Sequence, residues 1–158
     1  MQVEYINPFI SALKNTFQTM LTCEARRVSL AVKSSPQATH DVSGVIGLSG
    51  RAVGTVVVSF SAEVALEAAS TMLMMEATEL DDDVLDAVGE LTNMVAGAAK
   101  AELEEYELSV SLPNVVTGPG HEVHFPSEVT PISIAFDTDW GPLSLDVGLT
   151  AIREPVVM

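Results

Sequence analysis

The chain has 158 residues, 47% of them hydrophobic, which fits one folded domain able to bury a sizeable core and argues against disorder. Its net charge of −15, from 22 acidic and 7 basic side chains, argues against nucleic acid or an anionic membrane surface as the main partner, because phosphate contacts need Lys and Arg. The one cysteine, Cys23, cannot build an internal disulfide framework, and neither a signal-like start nor an apolar run of about 18 residues is found, so a cytoplasmic protein without a membrane span is expected.

Asn7 and Pro8 predict the start of a first helix, with Asn7 as cap and Pro8 at the first helical position, running to about residue 20. Phe9, Ala12, Leu13, Phe17, Met20 and Leu21 recur at the spacing of one buried face. A short strand is expected over 28–32 and a loop at Ser34-Ser35-Pro36-Gln37. The clearest hairpin joins 42–48 to 53–60 across Ser49-Gly50-Arg51-Ala52, and its second arm is rich in β-branched residues. Gly44, Gly47 and Gly54 inside these arms signal a bulge or a close backbone approach, such as a helix laid on the sheet.

Ser61 predicts the cap of a second helix over 62–75, where Leu66, Ala69, Leu73 and Met74 form an apolar side and Met72, Met74 and Met75 read as core filler. A polar break at 76–79 leads into the longest helical pattern, 80–108. Thr78 with Asp81 resembles a capping box, and Asp81, Asp82 and Asp83 suit the positive end of a helix dipole. Three consecutive helical carboxylates fan out rather than converge, so they make a poor metal site. Beyond residue 108 the period changes to two. Strands are expected at 111–117 and 123–125, separated by Gly118-Pro119-Gly120, and a closing hairpin joins 132–136 to 143–149. Its apolar residues alternate with Ser133, Ala135, Ser144 and Asp146, as in a half-buried sheet. The order of elements predicts an α+β domain over residues 1–158, with a largely antiparallel sheet and long helices packed on one face.

Common catalytic patterns are missing. His40 and Asp41 are adjacent, so in extended chain they point apart, and no nucleophile elbow accompanies them. His121 and His124 would fall on opposite faces of a strand and lack further zinc ligands. No glycine-rich loop has phosphate-binding spacing. What remains is the third helix. At 100° per residue, Val84, Val88, Leu91, Val95 and Ala98 cluster on one side, and Asp86, Glu90, Asn93 and Gly97 form a stripe on the other. A solvated face would account for such a stripe with no further role. Against that, Asn costs roughly 0.6 and Gly about 1 kcal/mol relative to Ala inside a helix. Gly89 is a further weak helix former at the flank. Small residues beside a polar pair leave room for close approach.

Asp86-x-x-x-Glu90-x-x-Asn93-Met94 resembles the signature helix of the CheC/CheX/FliY family of chemotaxis phosphatases. Asn7-Pro8-Phe9, Gly44-x-x-Gly47-Leu48-x-Gly50, Gly54-x-Val56, Phe60-Ser61 and Pro113-x-Val115-Val116-x-Gly118 resemble its CheX branch in order and interval. CheC-like members carry two such helices. Here the first helix has Ser11, Lys14 and Asn15 but no Glu-x-x-Asn, which resembles the one-site arrangement. The resemblance implies a CheC/CheX-like fold, a homodimer, and hydrolysis of the aspartyl-phosphate of a CheY-like response regulator receiver domain. It further implies Asn93 orienting the attacking water, Glu90 paired with the receiver's active-site Lys, Asp86 and Gly97 as contacts to the partner, and no cofactor beyond the Mg²⁺ that the receiver brings.

Overall fold

The Val-rich segment 53–58 lies where its composition places it, in the middle of a sheet buried on both faces. The computed structural model describes residues 3–152. In chain order the elements are α1 (Val3–Leu21), β1 (Arg26–Val32), β2 (Val42–Ser49), β3 (Ala52–Phe60), α2 (Ala62–Leu73), α3 (Asp82–Ala101), β4 (Ser109–Val110), β5 (Asn114–Thr117), β6 (Ile132–Thr138) and β7 (Gly141–Ala151). The strands form one antiparallel sheet in the order β1-β6-β7-β3-β2, with β4 and β5 both paired along the outer side of β2. The α+β expectation therefore holds.

One sheet face carries Ile46, Val56, Val58, Phe60, Ile134, Phe136, Leu145 and Val147, all buried in a core shared with the helices. Phe9, Leu13 and Phe17 of α1 close this core, and Phe17 stacks with Phe60 at 6.2 Å between ring centres. Helix α1 begins a turn earlier than the Asn7-Pro8 signal predicts. Tyr5 and Ile6 are buried, and that added apolar contact outweighs having Pro8 inside the helix, where it has no N–H to donate. Asn7 is exposed and caps nothing, and Met20 is turned to solvent.

Helix α2 starts as expected, with the Ser61 hydroxyl accepting from Val64 N–H at 3.4 Å. It ends at Leu73, because Met74 takes a left-handed conformation and its N–H turns back to the Ser70 carbonyl. Met74 is 92% and Met75 61% exposed, so these two methionines are not core filler; Met72 alone of the three packs against the core. Helix α3 is shorter than the predicted 80–108. Leu103 and Leu108 are buried, so the chain leaves the helix after Ala101, passes through one 3-10 turn at Glu104–Tyr106 and drops back to the sheet. The expected strand at 111–117 is shortened to β5 at 114–117, β4 forms before it at 109–110, and 123–125 is not a strand.

The second sheet face is not solvated as the Ser/Asp alternation suggested. The segment from Gly118 to Pro131 folds over it. Phe125 and Val129 lie so close to Gly148 that a side chain there would collide with both. Ser144 and Asp146 are consequently buried, and Lys33 reaches in to pair with Asp146 at 3.3 Å. His121 fastens the covering segment, with its Nδ1 at 2.8 Å from the Gly118 carbonyl and its Nε2 at 2.7 Å from the Ser43 hydroxyl.

Of the three glycines of the central hairpin, Gly44 marks a close helix approach, Gly54 lies against the Gly148 backbone of β7, and Gly47 has only Ser111 nearby. A Cβ on Gly44 would fall on the Thr92 side chain of α3, with the Thr92 Cβ only 2.8 Å away. Replacing Gly44 by Val should lower unfolding stability by about 1–3 kcal/mol, as overpacking at a helix–sheet contact does. Gly47→Ala is the control. Its added carbon would meet only Ser111 at 3.7 Å, and its effect should stay within about 0.5 kcal/mol in the same denaturant titration.

Candidate functional site

Helix α3 is built to hold a polar stripe outward. Asp81, rather than Thr78, caps it by accepting from Val84 N–H at 3.0 Å, Asp82 and Asp83 occupy the first turn, and Lys100 lies in the last, all favourable to the helix dipole. Val84, Ala87, Val88, Gly89, Leu91, Thr92, Val95, Ala96 and Ala99 are buried. The buried arc is wide because α1, α2 and the sheet all pack on this one helix. Ala98, expected in the apolar cluster, is exposed, and Ala96 and Ala99 are buried instead.

Asp86, Glu90, Asn93 and Gly97 are all exposed, as the spacing predicted. At 100° per residue they share about 60° of arc, and Glu90 and Asn93 lie about 4.5 Å apart along the helix axis. No hydrogen bond or ion pair joins the side chains of Asp86, Glu90 or Asn93 to another described residue. Their polar atoms face water, ready to be exchanged for a partner's groups. An amide can accept from a water and donate to an oxygen at once, without changing charge, and the carboxylate one turn away can receive a cation.

The two glycines of α3 differ. A Cβ on Gly89 would make ordinary contact with Val115 at 3.4 Å and Pro113 at 3.6 Å, so the β5 segment lies directly over this glycine. A Cβ on Gly97 would meet nothing within 4 Å. Beside Gly97 a groove of about 450 Å³ is lined by Lys100, Ala101, Glu104, Glu107 and Leu108. The sequence pattern hid this groove, because it carried the helix on to residue 108, through the groove's far wall.

Cys23 is buried, and burial pushes its thiol above the ordinary value of 9.0, against the lowering effect of a hydrogen bond with Thr138. Burial holds the His40 imidazole below its ordinary 6.5, against the opposing pull of Asp41, Asp146 and Glu63. His124 is exposed and 3.4 Å from Glu122. Among the described residues no three or more His, Cys, Asp or Glu side chains gather as a metal site requires. None of the described helices is long and apolar enough to cross a membrane. On α1, Ser11, Lys14 and Asn15 are exposed.

Fold and site together define a helix-presenting α+β domain that carries an exposed acid–amide stripe on α3. Residues 42–137 match the family model described as chemotaxis phosphatase CheX. The CheY-P phosphatase CheX of Thermotoga maritima is 33% identical over 121 residues, which cover 75% of this chain and 78% of that protein. The chain belongs to the chemotaxis phosphatase CheX family. Its structure is similar to that of a CheC-like superfamily protein from Shewanella sp. PV-4, with a TM-score of 0.88 and 34% identity over 96% of this chain and 100% of that one. The fold is also that of CheX from Borrelia burgdorferi in its complex with CheY, BeF3 and Mg²⁺, with a TM-score of 0.77 and 22% identity over 97% and 100% of the two chains.

Proposed function

We propose that this protein is a phosphatase that hydrolyses the aspartyl-phosphate of a CheY-like response regulator receiver domain. The observation that carries the reading is the Glu90–Asn93 pair, turned outward and unpartnered on α3 in a chain of the CheX family. The activity of the Thermotoga relative and the CheY-bound state of the Borrelia protein support it.

An acyl phosphate is already activated, and its hydrolysis needs mainly a placed water and charge stabilisation at the phosphoryl oxygens. Asn93 enters the receiver's site, accepts a hydrogen bond from water and donates to a phosphoryl oxygen, holding the water in line with phosphorus. Water attacks, the bond between phosphorus and the aspartyl oxygen breaks, and inorganic phosphate and a free carboxylate result. Glu90 pairs with the receiver's active-site Lys and fixes the docking register; desolvation in the interface strengthens that pair. Asp86 extends the acidic contact one turn toward the helix start, and Gly97 leaves room at the other side. The Mg²⁺ belongs to the receiver, and this chain brings no cofactor of its own. A cytoplasmic location goes with that substrate, since receiver domains work inside the cell.

We also infer a homodimer. The alternating late strands lie inside the sheet, and β1 forms one of its outer edges. Val28, Leu30 and Val32 on it are 66%, 46% and 62% exposed. Leu30 stands opposite Ile134 and Val32 opposite Ile132, so this apolar row extends the helix-side face past the helices. An uncovered edge of this kind favours pairing with a second copy.

Asn93→Ala should still bind the phosphorylated receiver but lose roughly 10²-fold or more of the acceleration, read as phosphate release over time. Full activity in that variant removes the mechanism, and binding by the wild type without any acceleration would make the chain a receiver-binding module instead. Glu90→Ala should weaken receiver affinity by about 2–5 kcal/mol if its pair is desolvated, and unchanged affinity by calorimetry removes its docking role. Sedimentation across a concentration series should show a dimer that Leu30→Glu dissociates; a wild type that stays monomeric throughout rules the dimer out.

A further inference from the structure

We propose that the groove beyond Gly97 seats an uncharged, apolar side chain of the same receiver domain that Asn93 works on, and that it thereby helps select which receivers are accepted. The inference rests on the phosphatase reading given above and extends it from the clearance at Gly97 to the groove beyond.

The starting point is an anomaly of α3. Gly97 sits well inside a 20-residue helix on an exposed face, where alanine would be better by about 1 kcal/mol. At Gly89 in the same helix a Cβ would make ordinary contact with Pro113 and Val115 of this chain, whereas nothing described lies within 4 Å of a Cβ at Gly97. Internal packing therefore gives no reason for the missing side chain. The open space lies outside the fold, over the groove.

Position ties that space to Asn93. Gly97 is one turn on, about 6 Å along the axis and within the same arc. It belongs at once to the polar stripe and to the groove wall. A globular partner that brings a phosphoryl group down to Asn93 must also lie over Gly97, and a side chain there would hold it away.

The chemistry of the lining sets the class of occupant. Gly97, Ala101 and the largely buried Leu108 give apolar surface, and about 450 Å³ is room for one large side chain with its loop. Lys100 and Glu104 put opposite charges on the rim, and Glu107 is held by Arg51 at 3.2 Å. A rim of mixed sign favours neither a cation nor an anion. At the opposite end of the same helix face Asp82, Asp83 and Asp86 are uniformly acidic. Along α3 the partner would thus meet acid, then the Glu90–Asn93 pair, then an apolar seat.

The test uses the full chain and a CheY receiver domain charged with acetyl phosphate. Gly97→Ala and Gly97→Leu should keep or raise the thermal midpoint, since both improve helix propensity, while Gly97→Leu raises KM for the phosphorylated receiver about 10-fold with a smaller change in kcat. Ala101→Glu, one turn further along the same groove wall, should raise KM in the same direction. Wild-type KM in both variants overturns the proposal, as does a change confined to self-association in sedimentation, which would make the groove a contact between copies. Asn93→Ala run in parallel separates the two readings. If it loses activity while Gly97→Leu behaves as wild type, the groove inference falls and the catalytic reading stands. If Asn93→Ala stays active while Gly97→Leu raises KM, the catalytic reading falls and the groove stands as a docking site.

Discussion

The close contact of Thr92 with Gly44 is the constraint on which the surface of this protein depends. The helix lies so near the sheet that no side chain fits beneath it at that point, and Thr92 satisfies its own hydroxyl by donating back to the Val88 carbonyl at 2.8 Å. Thr92 is the residue before Asn93. Fixing it against the sheet fixes the rotation of α3, and a helix whose rotation is fixed presents its opposite side at a fixed angle. With α1 and α2 flanking it and Val115 and Pro113 lying over Gly89, neighbours on several sides oppose rolling of the helix. For a proposed mechanism that consists of positioning one amide, this rigidity is the main contribution the fold can make.

The two faces of the sheet handle polarity differently. The helix side is apolar throughout its centre, and the other side buries Ser43, Ser59, Ser144 and Asp146 beneath the 118–131 segment. A buried Lys33–Asp146 pair contributes little net stability, because desolvation offsets the Coulomb attraction, yet losing one partner leaves a buried charge. The pair and the His121–Ser43–Ser59 hydrogen bonds therefore act mainly to pin the covering segment in one arrangement. None of these groups lies on α3, so the polar core and the polar stripe answer to different requirements.

Much of the architecture was legible in the sequence, for reasons that can be named. The 42–60 hairpin, the 132–149 hairpin and the capped start of α2 follow from alternation, β-branching and Ser61, all of which act over a few residues. The stripe was legible because periodicity alone places Asp86, Glu90, Asn93 and Gly97 on one arc. Errors arose where distant residues override a local signal. Pro8 sits inside α1 because Tyr5 and Ile6 find a core to enter. The third helix stops at Ala101 because Leu103 and Leu108 are drawn inward. Ser144 and Asp146, which alternate as solvent-facing residues do, are buried because a loop from elsewhere in the chain lies over them.

The sequence by itself determined which residues share a face, because helix and strand periods are local properties of the backbone. It also determined that the Glu90–Asn93 pair stands opposite an apolar side, and, by resemblance, the family to which the chain belongs. It did not determine what covers each face. That Gly89 faces the β5 segment and Gly97 is open, that β1 and not the late strands lies at a sheet edge, and that Met74 and Met75 stand in solvent were decided only by the tertiary structure. Each depends on where a second segment comes to rest, and that is set by packing among residues far apart in the chain.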